Sequence, residues 1–294
     1  MKQRGTMGRM SLILLWILFI GLVIVIVCAA VFLIPPLFSS GGTTSGPRSA
    51  PASPNTSPLS WGGPYSYAGA PEPQPVFHDP ILVLTNTGYL VGYCEAKKDP
   101  VWACYRLFKV TSLQAPPRPQ GFQVDTRTSA RICQHDYSGS GYDRGHMAPN
   151  YAIALCYGEQ AQLETFLMSN IIPQSPSLNR RVWEHLEQTE IKGYAQRYGQ
   201  VWVIDGPVFG AHPRHLQCGV EIPEACYKIL VEEEHGRPRV LAFIMPQSVT
   251  GIEAPSQYLV SVAEIERQTG LKFFGGLPAD MRDQVETNKA MGMW

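Results

Sequence analysis

Hydrophobic and polar positions fall into three regimes along this chain. Residues 11–38 read SLILLWILFIGLVIVIVCAAVFLIPPLF, an apolar run without a charged side chain. A helix needs about 20 apolar residues to cross a hydrocarbon core, so this run is expected to be a transmembrane anchor. A cleaved signal peptide is the alternative reading, although its apolar segment is usually only about 7–15 residues long. Residues 39–77 are rich in Gly, Ser, Thr and Pro, a composition that behaves as a linker. Residues 78–294 are patterned as one globular domain.

Within that domain, residues 81–84 and 89–93 flank the turn-like Asn86-Thr87-Gly88 and predict a hairpin. Residues 101–110, 165–172 and 201–209 predict further strands, and 227–232 with 240–245 a second hairpin. Residues 179–198 place Val182, Trp183, Leu186, Ile191 and Tyr194 at helical rather than alternating spacing, with Pro176-Ser177 as a start signal. Residues 257–269 predict a second helix, ended by Gly270. No regular helical crossovers separate the strands. An α+β fold on a mixed or antiparallel sheet is therefore expected rather than a doubly wound one.

Charge sharpens the topology and complicates the chemistry. Lys2, Arg4 and Arg9 precede the apolar run and only Arg48 follows it closely. Positive charge stays on the cytoplasmic side, so residues 1–10 are expected inside and the body outside. The whole chain is neutral, with 24 Lys+Arg against 24 Asp+Glu. Four of those bases and no acid lie before Glu72, which leaves the body with 20 bases, 24 acids and a net charge of −4. A body that binds phosphate must then gather its bases on one face.

Cys28 lies in the apolar run; Cys94, Cys104, Cys133, Cys156, Cys218 and Cys226 lie in the body. An even number in an exported domain points to disulfides. Cys94 with Cys104 across a hairpin, Cys218 with Cys226 around a short loop, and Cys133 with Cys156 is one of 15 connectivities. Zinc is the rival explanation, but no CxxC pair is present.

Phosphodiester hydrolysis needs a base to deprotonate water, a cation to offset charge and side chains to hold phosphate. His146 is the best base candidate, because imidazole titrates near neutral pH. Asp143 and Arg144 precede it, and Gly145 would permit an unusual backbone there. Asn179 opens the predicted helix; its carbonyl suits a hard cation such as magnesium, though it also suits a helix cap. Glu187 follows eight residues later and leans toward the same side. Arg180 and Arg181 are candidate phosphate contacts or surface charge.

The stretch Asp136-Tyr137-Ser138-Gly139-Ser140-Gly141-Tyr142-Asp143-Arg144-Gly145-His146-Met147-Ala148-Pro149 resembles the signature of the DNA/RNA non-specific endonucleases. Ser169-Asn170-Ile171-Ile172-Pro173-Gln174, then Leu178-Asn179-Arg180, Trp183 and Leu186-Glu187, resembles that family's second block. Weaker matches follow in order, and the resemblance covers about residues 80–277. It implies a ββα-metal fold, in which a hairpin and a helix clasp one Mg2+, with Mn2+ able to substitute. It implies His146 as general base, Asn179 as the direct metal ligand and Glu187 as the holder of a water in the metal's shell. Arg144 and Asn170 would support the site, and Arg118 or Arg127 would contact phosphate. The implied activity is cleavage of DNA and/or RNA to 5′-phosphate ends, and a homodimer is allowed. The reading is thus a membrane-anchored nuclease facing the periplasm or another exported compartment, with the mitochondrial intermembrane space as the alternative. A non-catalytic nucleic-acid-binding module and a nuclease toxin are the other readings.

Overall fold

The computed structural model describes residues 62–294. The expected anchor and cytoplasmic terminus lie outside the described residues. Among the described ones, no helix is long and apolar enough to cross a membrane.

The fold is built on a seven-stranded antiparallel sheet. Its members are β2 (Ile81–Asn86), β3 (Tyr89–Cys94), β4 (Asp99–Phe108), β7 (Gln200–Val208), β10 (Ala225–Glu234), β11 (Arg237–Pro246) and β12 (Leu259–Val260). They lie in the order β12-β11-β10-β7-β4-β3-β2, and β8 (Arg214–His215) with β9 (Glu221–Ile222) forms a separate two-stranded ribbon. Both expected hairpins form, β2 with β3 and β10 with β11. The central strands read as unbroken apolar runs because both faces of the sheet are covered, so neither set of alternating side chains meets water. In β7, Val201 and Val203 enter one core with Trp183, Leu186 and Ile191 of the long helical run. Trp202 and Ile204 enter a second core on the other face with Tyr67, Val262, Ile265 and Phe273.

The 179–198 helix is present but irregular. It runs through a π-type segment Leu178–Trp183, α3 (Glu184–Thr189), a second π-type segment Glu190–Tyr194 and α4 (Ala195–Tyr198). Two shorter helices, α1 (Asn150–Tyr157) and α2 (Glu159–Glu164), lie earlier in the chain. The second expected helix is shorter than its pattern. Residues Pro255–Tyr258 form a 3-10 turn and Leu259–Val260 join the sheet edge as β12. Helix α5 (Val262–Thr269) starts only after Ser261, whose hydroxyl caps Glu264 N–H at 3.3 Å. The expected strand at 165–172 is also displaced. Met168–Asn170 is a 3-10 turn, and β6 is Ile171–Gln174.

Two organisational expectations are corrected. Residues 62–77 are not linker. Tyr67 is fully buried against Trp202 and Phe274, and Trp202 Nε1 donates to Gly63 O at 2.9 Å. Strand β1 (Glu72–Pro73) pairs with β13 (Leu271–Lys272), and Gln74 Nε2 donates to Leu271 O at 2.6 Å. The segment's aromatic and hydrogen-bonding residues dock onto the sheet despite their Gly- and Pro-rich setting. The second correction concerns Cys94 and Cys104. Cys94 pairs with Asp99 across the ladder and Cys104 with Leu90, so the register holds them several residues apart, at about 3.3 Å per residue. All six cysteines of the body are free thiols.

Because Tyr67 belongs to the core, Tyr67→Ala is expected to destabilise the full chain by about 3–5 kcal/mol, the usual range for deleting a large buried aromatic. Chemical denaturation measures this; an unchanged midpoint would return the segment to linker status.

Candidate active site

The site is assembled by two short strands and the helix that follows them. Strand β5 (Asp143–His146) pairs antiparallel with β6, in the register Asp143↔Gln174, Arg144↔Pro173, Gly145↔Ile172 and His146↔Ile171. The chain then turns through Ser175 into the helical run. That corner is stitched to the end of β11: Gln247 Oε1 accepts from Ser175 N at 2.6 Å and Gln247 Nε2 donates to Pro173 O at 2.7 Å. Asn179 lies inside the first helical turn, its N–H donating to Ser175 O at 2.9 Å. It is therefore not the cap residue.

These elements border a cleft of about 390 Å3. It is lined by Arg118, Phe122, Asp143, Arg144, His146, Asn150, Tyr151, Asn179, Arg180, Glu184, Glu187 and Gln188. Six of the expected site residues thus meet in one place: His146, Arg144, Asn179, Glu187, Arg180 and Arg118.

His146 is buried, with Phe122 and Phe166 rings at 5.4 and 5.0 Å. Burial, and then the charge of Arg118, push its pKa down to about 3. Its Nε2 has no hydrogen-bond partner. A buried nitrogen without a partner is costly, and a neutral ring with a free lone pair is the form that accepts a proton. Arg118 stacks on Phe166 at 5.0 Å. Arg144 stacks on Phe122 at 5.4 Å and donates from Nη1 to Gln134 O at 2.8 Å.

Asp143, which the sequence marks only as a neighbour of His146, organises the opposite wall. Arg180 grips it through two bonds, Nε to Oδ2 at 2.7 Å and Nη2 to Oδ1 at 2.6 Å. Asn179 Nδ2 adds a third at 3.0 Å. Burial raises the carboxyl's pKa, but these hydrogen bonds outweigh it and hold the group below its usual value. With the amide nitrogen of Asn179 committed to Asp143, its Oδ1 is the atom left for a ligand. Glu187 is half-buried; burial chiefly, then neighbouring carboxylates against the pull of Lys228, push its pKa up to about 8.

No cluster of three or more His, Cys, Asp or Glu among the described residues is arranged to hold a metal. One amide oxygen beside one carboxylate fits instead a hard cation that keeps most of its water, as Mg2+ does.

Two expected site residues lie elsewhere. Arg127 is tied to Asp125 at 2.7 Å and to Asn86 and Thr85 O, away from the cleft, so Arg118 is the arginine beside His146. Asn170 is fully buried and outside the cleft. Its Oδ1 accepts from Ala148 N at 2.9 Å, and its Nδ2 donates to Ala148 O and Thr165 O, both at 3.0 Å. It braces the backbone just past His146 and does not face the cavity. Gly145 is required for space and not for backbone freedom. Its φ is not among the positive ones, and a Cβ there would collide with the Gln174 side chain. Phe122, Asn150, Tyr151, Glu184 and Gln188 complete the lining. Glu184 and Gln188 flank Glu187 on the helix, a signal the sequence carries; Phe122 and Tyr151 have none.

Two antiparallel strands and the helix that follows them form a ββα arrangement around the cleft, and the comparisons place the chain in a family. The DNA/RNA non-specific endonuclease family matches residues 75–280, and the chain belongs to that family. It is 29% identical over 229 residues to "Nuclease EXOG, mitochondrial" of Mus musculus, covering 70% of this chain and 61% of that protein. It is 31% identical over 212 residues to "Endonuclease G, mitochondrial" of Homo sapiens, covering 64% and 68%. The crystal structure of an EndoG/EndoGI complex matches with a TM-score of 0.60 at 26% identity, covering 69% of this chain and 90% of that one. The chain spans only 60–65% of the length of the EXOG relatives from Mus musculus, Danio rerio and Xenopus laevis.

Gly145→Ala is expected to cost about 1–3 kcal/mol through overpacking against Gln174. A thermal melt of the full chain checks this; wild-type stability would mean that Gln174 yields freely.

Proposed function

We propose that this chain is a Mg2+-dependent, sugar-non-specific nuclease that hydrolyses phosphodiester bonds of DNA and/or RNA to 5′-phosphate ends. The observation that carries the reading is the convergence of His146, Asn179, Glu187 and three arginines on one cleft. Mg2+ bound at Asn179 would neutralise charge on the scissile phosphate and the departing oxygen. Arg118 and Arg180 bind the phosphate, and Arg180 must then share its grip on Asp143. His146 takes the proton of the attacking water on its imidazole. Glu187 orients water beside Asn179. Phe122 and Phe166 exclude solvent from the imidazole. Asp143 fixes the Asn179 amide, and Asn170 holds the chain behind His146.

The same reading extends to placement. Residues 11–38 anchor the body to a membrane with the N-terminus inside. The body faces the periplasm or the mitochondrial intermembrane space, and the mitochondrial names of several relatives support the latter.

The central test is cleavage of plasmid DNA and of RNA by the full chain. His146→Ala should lose about 10²–10⁴-fold in rate while binding Mn2+ as the wild type does. Asn179→Ala should bind Mn2+ more weakly and recover part of its rate at high metal. No cleavage by the wild type with any divalent metal, or full activity in His146→Ala, would sink the proposal.

A pH experiment tests the electrostatics. Arg118 lowers the His146 pKa, so Arg118→Gln should raise it, while the larger effect of burial keeps it below the ordinary 6.5. An NMR titration of the His146 ring without metal reads the midpoint, and an identical midpoint in both proteins would contradict the assignment.

A further inference from the structure

Beneath the cleft lies a charged cluster that the proposed reaction does not use. Lys228 of β10 is fully buried. Its Nζ lies 2.9 Å from Asp205 Oδ2 on β7 and 3.1 Å from Glu190 Oε1 on the helical run. It also donates to the Tyr105 hydroxyl on β4 at 3.0 Å and sits 4.4 Å over the Trp183 ring. Tyr105 Oη lies 3.1 Å from Asp205 Oδ2 and 3.3 Å from Glu190 Oε2. Glu190 and Asp205 are fully buried as well. The ammonium thus lies against three groups, one on each of β7, β4 and the helix, bonded to the hydroxyl and ion-paired with the two carboxylates.

Such a cluster is poor value as a stabiliser. Desolvating buried ions offsets much of their attraction, and neutral side chains of similar shape often serve the fold equally well. Its position is more telling. Glu190 follows Glu187 by three residues, so the two lie on neighbouring faces of one helical turn. It is also the first residue of the second π-type segment, and such widened turns frequently occur at functional sites. Glu187 itself lies in the regular segment α3, and the widened turns on either side leave the setting of that short segment against the sheet to its side-chain ties. A tie to the sheet at Glu190 fixes it.

We propose that Lys228 is a positioning residue for Glu187: by fastening Glu190 to Asp205 and Tyr105 of the sheet, it holds the Glu187 carboxylate in the cleft beside Asn179. This rests on the reading that Glu187 serves the metal site. Electrostatics support it in a second way. Burial pulls the Lys228 pKa down, but Glu190, Asp205 and Glu187 together outweigh that and raise it. The ammonium therefore stays charged, and its pull on Glu187 opposes the burial that would keep that carboxyl protonated.

The test uses the full chain with Glu187→Gln as reference, reading thermal stability, Mn2+ binding by calorimetry, and kcat and KM on DNA. Lys228→Met alone strands two buried carboxylates and is expected to melt early. The compensated variant K228M/E190Q/D205N removes all three charges together. It should recover most of the melting temperature, yet show at least tenfold weaker Mn2+ binding and tenfold lower kcat at unchanged KM, as Glu187→Gln does. A compensated variant that folds and stays within twofold of wild type in both readouts overturns the proposal, and leaves the Glu187 reading standing if Glu187→Gln is impaired. Wild-type behaviour of Glu187→Gln overturns both. Should the compensated variant not fold, Tyr105→Phe decides: it keeps every charge and should lower kcat three- to tenfold at constant KM, whereas an unchanged kcat refutes the positioning role.

Discussion

The pairing of Asp143–His146 with Ile171–Gln174 is the constraint on which the site depends. Four residues on each side bring His146 next to the start of the helix that carries Asn179 and Glu187. The intervening chain is anchored at both of its ends. Asn170 grips Ala148 at both its N–H and its C=O, and Met147 N–H donates to Asn170 O at 3.0 Å. Gly145, opposite Ile172 in the register, lies so close under the Gln174 side chain that a Cβ there would overlap it. Arg144 and His146, two apart on one strand, project to the same side, and both meet the ring of Phe122. The geometry of His146 and of its neighbour Arg144 is thus one consequence of a short ladder.

Charge on the whole body and charge in the cleft are different quantities. The body is net acidic, which read alone speaks against a phosphate-binding protein. The cleft instead sets Arg118, Arg144 and Arg180 against Asp143, Glu184 and Glu187. Arg180 is spent on Asp143 and Arg144 on a carbonyl and a ring. Arg118, exposed and stacked on the Phe166 ring, presents its charge to the cleft without such a tie among the described residues. Its nearness to His146 also gives a direct consequence for chemistry. An arriving phosphate would neutralise Arg118 and add negative charge beside the imidazole, and both effects raise the base strength of a ring that burial and Arg118 hold down.

What the sequence made legible divides along physical lines. Covalent spacing was readable: Asp143 to His146 in one strand, and Asn179 with Glu187 on one helix. Paired hydrophobic runs gave both hairpins, because antiparallel neighbours joined by short turns leave a local signature. Features fixed by distant contacts were not readable. Tyr67 looks like linker because its partners, Trp202 and Phe274, lie far along the chain. The choice between Arg118 and Arg127 depends on Asp125, which holds the second. Periodicity over 257–269 could not reveal that Leu259–Val260 would be taken by the sheet edge. Lys228 reads as an ordinary lysine in a strand, and only the register placing it opposite Asp205 shows otherwise.

That last contrast bears on how the fold divides its labour. Antiparallel strands with apolar side chains on both faces would hold together without an ammonium in their midst, as β7 and β10 do along Val203, Ile204, Ile229 and Leu230. The charged cluster interrupts the apolar floor at the point where the helix above it departs from regular α geometry. Widened turns flank the short regular segment that carries Glu187, so the setting of that segment against the sheet gains from something directional. Dispersion against the core is not directional, whereas an ammonium with three fixed acceptors is. A buried ion network at this position is therefore better understood as a geometric constraint on the acidic wall of the cleft than as a source of stability.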